Sequence, residues 1–221
     1  MIHHLCSLVC AGLIFLIAGS ASADDDIKRL VRLADMIMRG ETSAAVFEME
    51  IKTARYQRQY KVVAWDDHRK GEKALIKILG PASWRGFGTL KIGEQLKIYD
   101  PKTNHVQRVG HSMLGDSWMG SHFSNDDLVK ETRLDRDYTL TLDKKWSDDG
   151  THYRVALKPK PTAPVAWGKI IYEVHQRGDE ILPVRAEYYR KHGDKTAART
   201  MTFSNVKMLG GRRVPATMTV R

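Results

Sequence analysis

The hydrophobic pattern has a period of two through most of the chain after Val46, and this pattern limits the fold to one built mainly of strands. Apolar and polar residues alternate in strand-like stretches. Two of these stretches flank Asp149-Gly150 and two flank Gly93-Glu94, and both dipeptides are typical of hairpin turns. We count roughly ten strands and find no alternation of strands with helices. The pattern predicts a mainly β protein built on an antiparallel sheet or barrel.

One amphipathic helix is predicted before the strands. Asp26 can cap it, and Gly40 supplies a stop signal. Its apolar residues follow an i, i+3, i+4, i+7 stripe, namely Ile27, Leu30, Val31, Ala34, Ile37 and Met38. The helix is therefore expected to bury one face.

The N-terminus has the pattern of an export signal. An uncharged apolar run from Leu5 to Ala18 is followed by Ala21-x-Ala23 and then by acidic residues. The run is short for a membrane span but suits a signal peptide, although an uncleaved anchor is an alternative. We predict that residues 1–23 are a cleaved signal peptide, that residues 24–221 form one domain, and that the protein is periplasmic.

Charge and cysteine content indicate how the domain is stabilised and which kinds of partner it can have. Both cysteines, Cys6 and Cys10, lie in the predicted signal peptide, so the mature domain must rely on its core rather than on disulfides. The formal net charge is +10. Nucleic acid is not an expected partner in the periplasm, whereas an anionic membrane surface or an acidic membrane protein is. The alternative is that the charge is spread over a solvated surface.

The stretch from Gly110 to Glu131 interrupts the period of two. It lacks alternation but carries large apolar side chains, among them Met113, Leu114, Trp118, Met119 and Phe123. Ser124 and Asp127 have the spacing of a helix capping box. Long loops in compact domains are usually functional, and Met and Trp suit adaptable apolar sites. We predict a lid or cavity wall that contacts a ligand; the alternative is a loop that covers one end of the barrel.

The strands offer further candidates for an apolar site. Phe47, Met49 and Ile51 alternate with charged residues on the first predicted strand, and we assign them to an inner sheet face. Trp65, Ile76 and Ile78 are additional candidates. Ordinary core packing is the alternative for all of them, because one face of a strand is buried in any fold.

Catalytic and metal-binding signals are weak. Gly115-Asp116-Ser117 and Asp149-x-x-His152 resemble two blocks of GDS-type esterases, but the serine block lies mid-chain in a β-rich sequence. Asp149-Gly150 is better interpreted as a turn. None of the histidines has a metal-binding spacing, although His105, His111 and His122 could approach one another in space. We expect no enzymatic activity, no metal and no cofactor.

Several segments together resemble the outer-membrane lipoprotein-sorting family of LolA-like periplasmic carriers. The most specific are Ser117-Trp118-Met119-Gly120-Ser121 and Asn125-Asp126-Asp127-Leu128, and further ones are Gly86-Phe87-Gly88-Thr89-Leu90, Leu157-Lys158-Pro159 and Gly210-Gly211-Arg212. The chain looks like the broader branch of this family rather than LolA itself. The resemblance implies an incomplete, strongly curved antiparallel β-barrel with helices closing its concave side around an apolar cavity.

The resemblance also implies a function. A member of this family would carry acyl chains of a lipid or lipoprotein between the inner and outer membranes, and an RND-type inner-membrane transporter is a plausible donor. By the same resemblance, the lipid-binding residues are expected among Phe47, Met49, Ile51, Met113, Leu114, Trp118, Met119 and Phe123. The alternatives are a lipid sensor of the RseB type, the esterase with Ser117 as nucleophile, and a structural envelope protein.

Overall fold

The computed structural model describes residues 20–37, 41–71, 73–93, 95–110, 113, 116–123, 125, 133–163, 165 and 167–221. In these residues, 58% of the chain is strand and 14% is helical. The helices are α1 (Ser20–Met36) and α2 (Leu134–Asp137), with single 3-10 turns at Ala82–Trp84 and Trp118–Gly120. None of the described helices is long and apolar enough to cross a bilayer.

Six strands form a first antiparallel sheet in simple sequence order. They are β1 (Thr42–Lys52), β2 (Gln57–Asp67), β3 (Lys73–Gly80), β4 (Gly88–Ile92), β5 (Gln95–Asp100) and β6 (His105–Arg108). Because side chains alternate across a strand, the pairing register defines two faces. Met49 pairs with Tyr60, and Val62 pairs with both Phe47 and Ile78, so these residues share the face that we call inner.

The other six strands form a second antiparallel sheet, again in sequence order. They are β7 (Tyr138–Ser147), β8 (Thr151–Pro159), β9 (Lys169–Arg177), β10 (Glu180–Tyr189), β11 (Arg199–Leu209) and β12 (Arg212–Val220). Helix α1 packs on this sheet: Leu30, Val31 and Ala34 are buried against Tyr172 and Val174. Burial of such side chains contributes about 1.5–3 kcal/mol each for the larger ones.

The predicted fold class is confirmed, with corrections in detail. The strands form two six-stranded sheets that do not close into a barrel. Helix α1 runs through Asp26 instead of being capped by it, since the small residues Ser20 to Ala23 extend the helix. Met38, Gly40, most of the predicted signal peptide and the Ser124–Asp127 box lie wholly or largely outside the described residues.

The predicted hairpins at Gly93-Glu94 and Asp149-Gly150 are confirmed, because β4 pairs with β5 and β7 with β8 around these positions. Gly93 has a φ of +55°, the left-handed conformation that such a turn needs. The sequence analysis missed β6, a four-residue strand whose residues are all exposed and therefore show no hydrophobic alternation.

The face of the second sheet that points away from α1, which we call its outer face, carries a network of charged side chains around Glu187. Arg185 Nη2 and Tyr189 Oη donate to its carboxylate at 2.7 and 3.0 Å, and Arg154 bridges it to Glu173. Burial opposes ionisation of Glu187, but the hydrogen bonds from Arg185 and Tyr189, together with the positive charges of Arg185 and Arg154, outweigh burial and hold its pKa below the usual value.

This depressed pKa predicts a pH-dependent contribution to stability. The contribution is present above the unfolded-state value of 4.5 and is lost as the pH falls through the lower folded-state pKa. We expect Glu187→Gln to lower the free energy of unfolding by about 1–3 kcal/mol at pH 7 and by less at pH 3. Urea denaturation at both pH values measures this; an equal cost at pH 3 and pH 7 contradicts the assignment.

Candidate ligand-binding site

The inner face of the first sheet carries an apolar cluster. Ile51, Tyr60, Val62 and Ile78 are buried in it, and around them pack the partly buried side chains of Met49, Tyr56, Ile76, Trp84, Phe87 and Met119. The aromatic rings interlock edge to face: Tyr60 and Trp84 are 6.1 Å apart between centroids, and Trp84 and Phe87 are 5.7 Å apart. This face is therefore a preformed apolar surface contributed by three adjacent strands and one 3-10 turn.

Residues 116–123, which we call the covering segment, lie over this inner face. The segment is closed on itself, because Trp118 N donates to Phe123 O at 2.7 Å and Asn125 N donates to Asp116 O at 2.9 Å. Ser121 Oγ adds a hydrogen bond to Trp118 O. The segment is thus a compact loop with its own hydrogen bonds.

Three side-chain contacts join the covering segment to the sheet. Trp118 is buried, with 5% of its surface exposed, and its Nε1 donates to Thr89 Oγ1 on β4 at 3.2 Å. Met119 packs into the inner-face cluster. Tyr56 Oη donates to Gly120 O at 3.0 Å. The two large side chains that sequence analysis placed near a ligand therefore fill the inner face itself.

The tip of the covering segment has an unusual backbone. Met119 has a φ of +55° and Gly120 a φ of +71°. A non-glycine residue in the left-handed region is strained, and such residues cluster at binding sites and switch regions. A Cβ at position 120 would lie 2.8 Å from Tyr56 Oη. An alanine at this position would therefore be strained in conformation and would have to displace the Tyr56 hydroxyl.

We expect Gly120→Ala to loosen the covering segment. The methyl group would push the Tyr56 hydroxyl aside and break its hydrogen bond, in addition to the cost of a left-handed alanine, about 1 kcal/mol. The matched control is Gly178→Ala, where φ is +60° but nothing lies within 4 Å of the added Cβ. Hydrogen exchange should rise in residues 116–123 in the first variant only; unchanged protection in Gly120→Ala contradicts the anchoring role of Tyr56.

The structure brings several of the predicted site residues together. Met49, Ile51 and Met119 share the inner-face cluster. Phe47 lies on the same face of β1, with 40% of its surface exposed. Met113 packs on a smaller cluster of Leu96 and Val109, and Phe123 packs on the α1 cluster of the second sheet. Leu114 lies outside the described residues.

Two details of the sequence analysis need correction. Trp65 does not belong to the inner face: it pairs with Ala44 and Leu75, which point to the opposite side of the sheet. Ile76 and Ile78 do face inward. Trp118, assigned above to a lid or cavity wall, is buried against the sheet and hydrogen-bonded to it.

Sequence reasoning missed Tyr60 and Thr89. Tyr60 is buried, yet its hydroxyl has no hydrogen-bond partner among the described residues. Its alternation with Val62 and Ala64 along β2 was the available signal. Thr89, the partner of Trp118, is a polar residue on a short strand and gives no signal of its own.

The two sequence blocks that resembled a GDS-type esterase, around Ser117 and His152, lie in different parts of the structure. Ser117 Oγ donates to Ser121 O within the covering segment. His152 belongs instead to the outer face of the second sheet, where its ring stacks between those of Trp146 and His175. Asp149 lies 3.6 Å from His152 Nε2 and 3.3 Å from His175 Nε2. The two histidine rings are stacked 23° from parallel, and with Asp149 they bring three groups that could bind a metal ion within 4.8 Å of one another where the β7–β8 hairpin meets β9.

A protein-family model matches most of the sequence. A family model with the description "-like: Uncharacterized protein" matches residues 70–221, more than half of the chain. The chain belongs to this family. No curated protein matches the sequence.

Solved structures share the fold. A DUF1329 family protein from Desulfovibrio piger aligns with a TM-score of 0.76 and 22% identity over 90% of this chain and 85% of that one. A putative outer membrane lipoprotein-sorting protein domain from Vibrio parahaemolyticus gives 0.71 and 19%, over 87% and 83% of the two chains. A LolA superfamily protein from Nitrosomonas europaea gives 0.62 and 21%, over 87% and 84%. The chain therefore has the LolA-like fold that these structures share.

Proposed function

We propose that this protein is a periplasmic carrier that binds acyl chains between the inner face of the first sheet and the covering segment. The cargo is a lipid or lipoprotein that moves between the inner and outer membranes. The observation that carries the proposal is the apolar inner face, which is covered by a loop through the side chains of Trp118, Met119 and Tyr56. The LolA-superfamily fold supports it, since two structures with this fold are named for that superfamily and for lipoprotein sorting.

The energetics suit reversible carriage. Each methylene kept out of water is worth about 0.8 kcal/mol, whether a bilayer or a protein interior shields it. An acyl chain on the inner face would displace Met119 and Trp118, which themselves cover that face. Loading and unloading would therefore exchange one apolar contact for another, so the free-energy change of each step would stay close to zero. Such transfer requires no covalent chemistry, so we propose that the protein is not an enzyme and uses no metal or cofactor.

The Tyr60 hydroxyl adds a polar group to this apolar site. A buried hydroxyl without a partner costs about 1–3 kcal/mol. A carboxylate or ester oxygen of a bound lipid would accept its hydrogen bond. We therefore propose that Tyr60 orients the polar end of the acyl chain.

The cellular setting is part of the same proposal. Residues 1–23 act as a cleaved signal peptide, and residues 24–221 form one carrier domain. An RND-type transporter supplies the cargo, and the net charge of +10 favours approach to anionic membrane surfaces.

Titration of delipidated protein with a fluorescent fatty acid tests the function. We expect saturable binding, competed by unlabelled fatty acid. A folded, delipidated sample that shows no saturable binding contradicts the carrier function.

We expect Tyr60→Phe to separate stability from binding. Removing an unpartnered hydroxyl should leave the free energy of unfolding unchanged or higher, whereas fatty-acid affinity should fall about 3–10-fold for the lost hydrogen bond. The matched control is Tyr99→Phe on the same sheet, whose hydroxyl donates to Asn104 Oδ1 at 3.1 Å. If Tyr60→Phe destabilises the protein and leaves binding intact, the proposed role of Tyr60 is wrong.

A further inference from the structure

The outer face of the first sheet carries an exposed apolar groove that acyl binding on the inner face does not use. The groove has a volume of about 540 Å³. Its apolar walls are Leu75, Leu90, Tyr99 and Val106, and Lys77 and Lys97 stand along it. The pairing register explains the arrangement, because Leu75, Leu90 and Lys97 form one row across β3, β4 and β5, and Lys77, Gly88, Tyr99 and Val106 form the next.

The apolar surface extends beyond the groove. Leu75 is 40% exposed and Val106 is 56% exposed. Trp65, 42% exposed, continues the row of Leu75 onto β2. Clusters of large exposed apolar side chains mark interaction surfaces in soluble proteins.

Most of the charges on this face are positive, although Glu48 and Glu50 of β1 also lie on it. Lys73 and Arg108 lie on the same face as Lys77 and Lys97: Arg108 pairs with Lys97 at the end of its row, and Lys73 lies in the next row. The carboxylate of Asp67, opposite Lys73, is engaged by Arg69 at 3.0 Å. The described part of this face therefore combines exposed aliphatic residues, one tryptophan, one tyrosine and a surplus of cations.

We infer that the outer face of the first sheet is the surface by which the protein docks on an anionic phospholipid bilayer. Aliphatic and aromatic side chains enter the interface, where Trp and Tyr are favoured, while lysines extend to the headgroups. Each Lys or Arg near an anionic surface contributes about 1 kcal/mol and is screened by salt. Charge complementarity selects a bilayer over a neutral partner. Docking on the outer face leaves the inner face and the covering segment free to exchange cargo. Docking itself does not depend on acyl binding by the inner face.

Co-sedimentation with vesicles tests the inference. We expect binding to vesicles of phosphatidylglycerol and phosphatidylcholine, weakening at 0.5 M salt, and little binding to phosphatidylcholine alone. Lys77→Glu with Lys97→Glu should weaken binding at least about 30-fold. The matched control, Lys158→Glu with Lys207→Glu, makes the same charge change on exposed residues of the second sheet and should retain most of the binding. Equal losses in the two double variants overturn the inference, since only net charge would then matter.

Two further variants distinguish other occupants. Leu75→Ser with Val106→Ser should also reduce vesicle binding. If this variant instead binds vesicles normally but changes from a dimer to a monomer in sedimentation velocity, the face is an interface between two copies of the chain.

Gly88 lies on the groove floor in ordinary strand conformation, with its nearest neighbours 3.8 Å from an added Cβ. Gly88→Val should fill the groove and preserve docking; loss of binding in this variant would show a single lipid in the groove and overturn the bilayer assignment.

Fatty-acid uptake without vesicles keeps the two proposals separate. Lys77→Glu with Lys97→Glu should take up fatty acid normally. If the unsubstituted protein binds vesicles but takes up no fatty acid, the carrier function alone is refuted. If it takes up fatty acid but does not bind vesicles, the docking face alone is refuted.

Discussion

Trp118→Asp is expected to lower the free energy of unfolding by about 4 kcal/mol or more. Trp118 is 5% exposed, and the substitution removes a large ring from the inner face and places a carboxylate in a buried position. Loss of a buried tryptophan alone costs about 3–5 kcal/mol, and an unpaired buried charge adds to this. Thr89 also loses the hydrogen bond from Nε1. Urea denaturation measures the effect.

Trp118→Phe is the control for this change. It keeps an aromatic ring and removes only the N–H group, so a cost of about 1–2 kcal/mol is expected, and adding Thr89→Val should recover part of that cost because no unpaired group remains. A Trp118→Asp protein with an unchanged unfolding midpoint would mean that the covering segment is not packed on the sheet.

Phe47→Glu is expected to abolish fatty-acid uptake while the protein stays folded. Phe47 lies on the inner face of β1 but is 40% exposed, so a glutamate there can remain hydrated. A charge beside the path of an acyl chain must be desolvated when the chain binds, and that penalty amounts to several kcal/mol. We therefore expect at least about a 100-fold loss of affinity, measured by fluorescent fatty-acid titration.

The neighbouring residue provides the matched control. Val46→Glu introduces the same charge one position earlier on the opposite face of β1, where Val46 is 60% exposed. Uptake should be unchanged in this variant. Equal losses in both variants would show a nonspecific effect of charge, and normal uptake by Phe47→Glu would place the ligand away from β1.

The parts of the fold that depend on local sequence could be predicted. The hairpin turns at Gly93 and at Asp149-Gly150 follow from residues adjacent in the chain, and so does the inner face of β1, where Phe47, Met49 and Ile51 alternate with charges. Trp65 was assigned to the wrong face because Val62 and Val63 are both apolar and the alternation in β2 has no clear phase there. Only pairing with β1 and β3 settles it.

The candidate site could be predicted only in part. Sequence identified the apolar covering segment because it interrupts the strand pattern. The contacts that place it join residues far apart in the chain: Tyr56 with Gly120, and Thr89 with Trp118. Such contacts depend on tertiary packing, and so does the lack of a hydrogen-bond partner for the Tyr60 hydroxyl among the described residues. No local pattern encodes them.

Photo-crosslinking with a diazirine fatty acid, followed by peptide mass spectrometry, tests the central claim most directly. The carrier function predicts labels on the inner face and the covering segment, at Met49, Ile51 or Met119, and competition by unlabelled fatty acid. Labels confined to the outer face at Leu75 or Val106, or no competed label in folded protein, would contradict acyl binding beneath the covering segment.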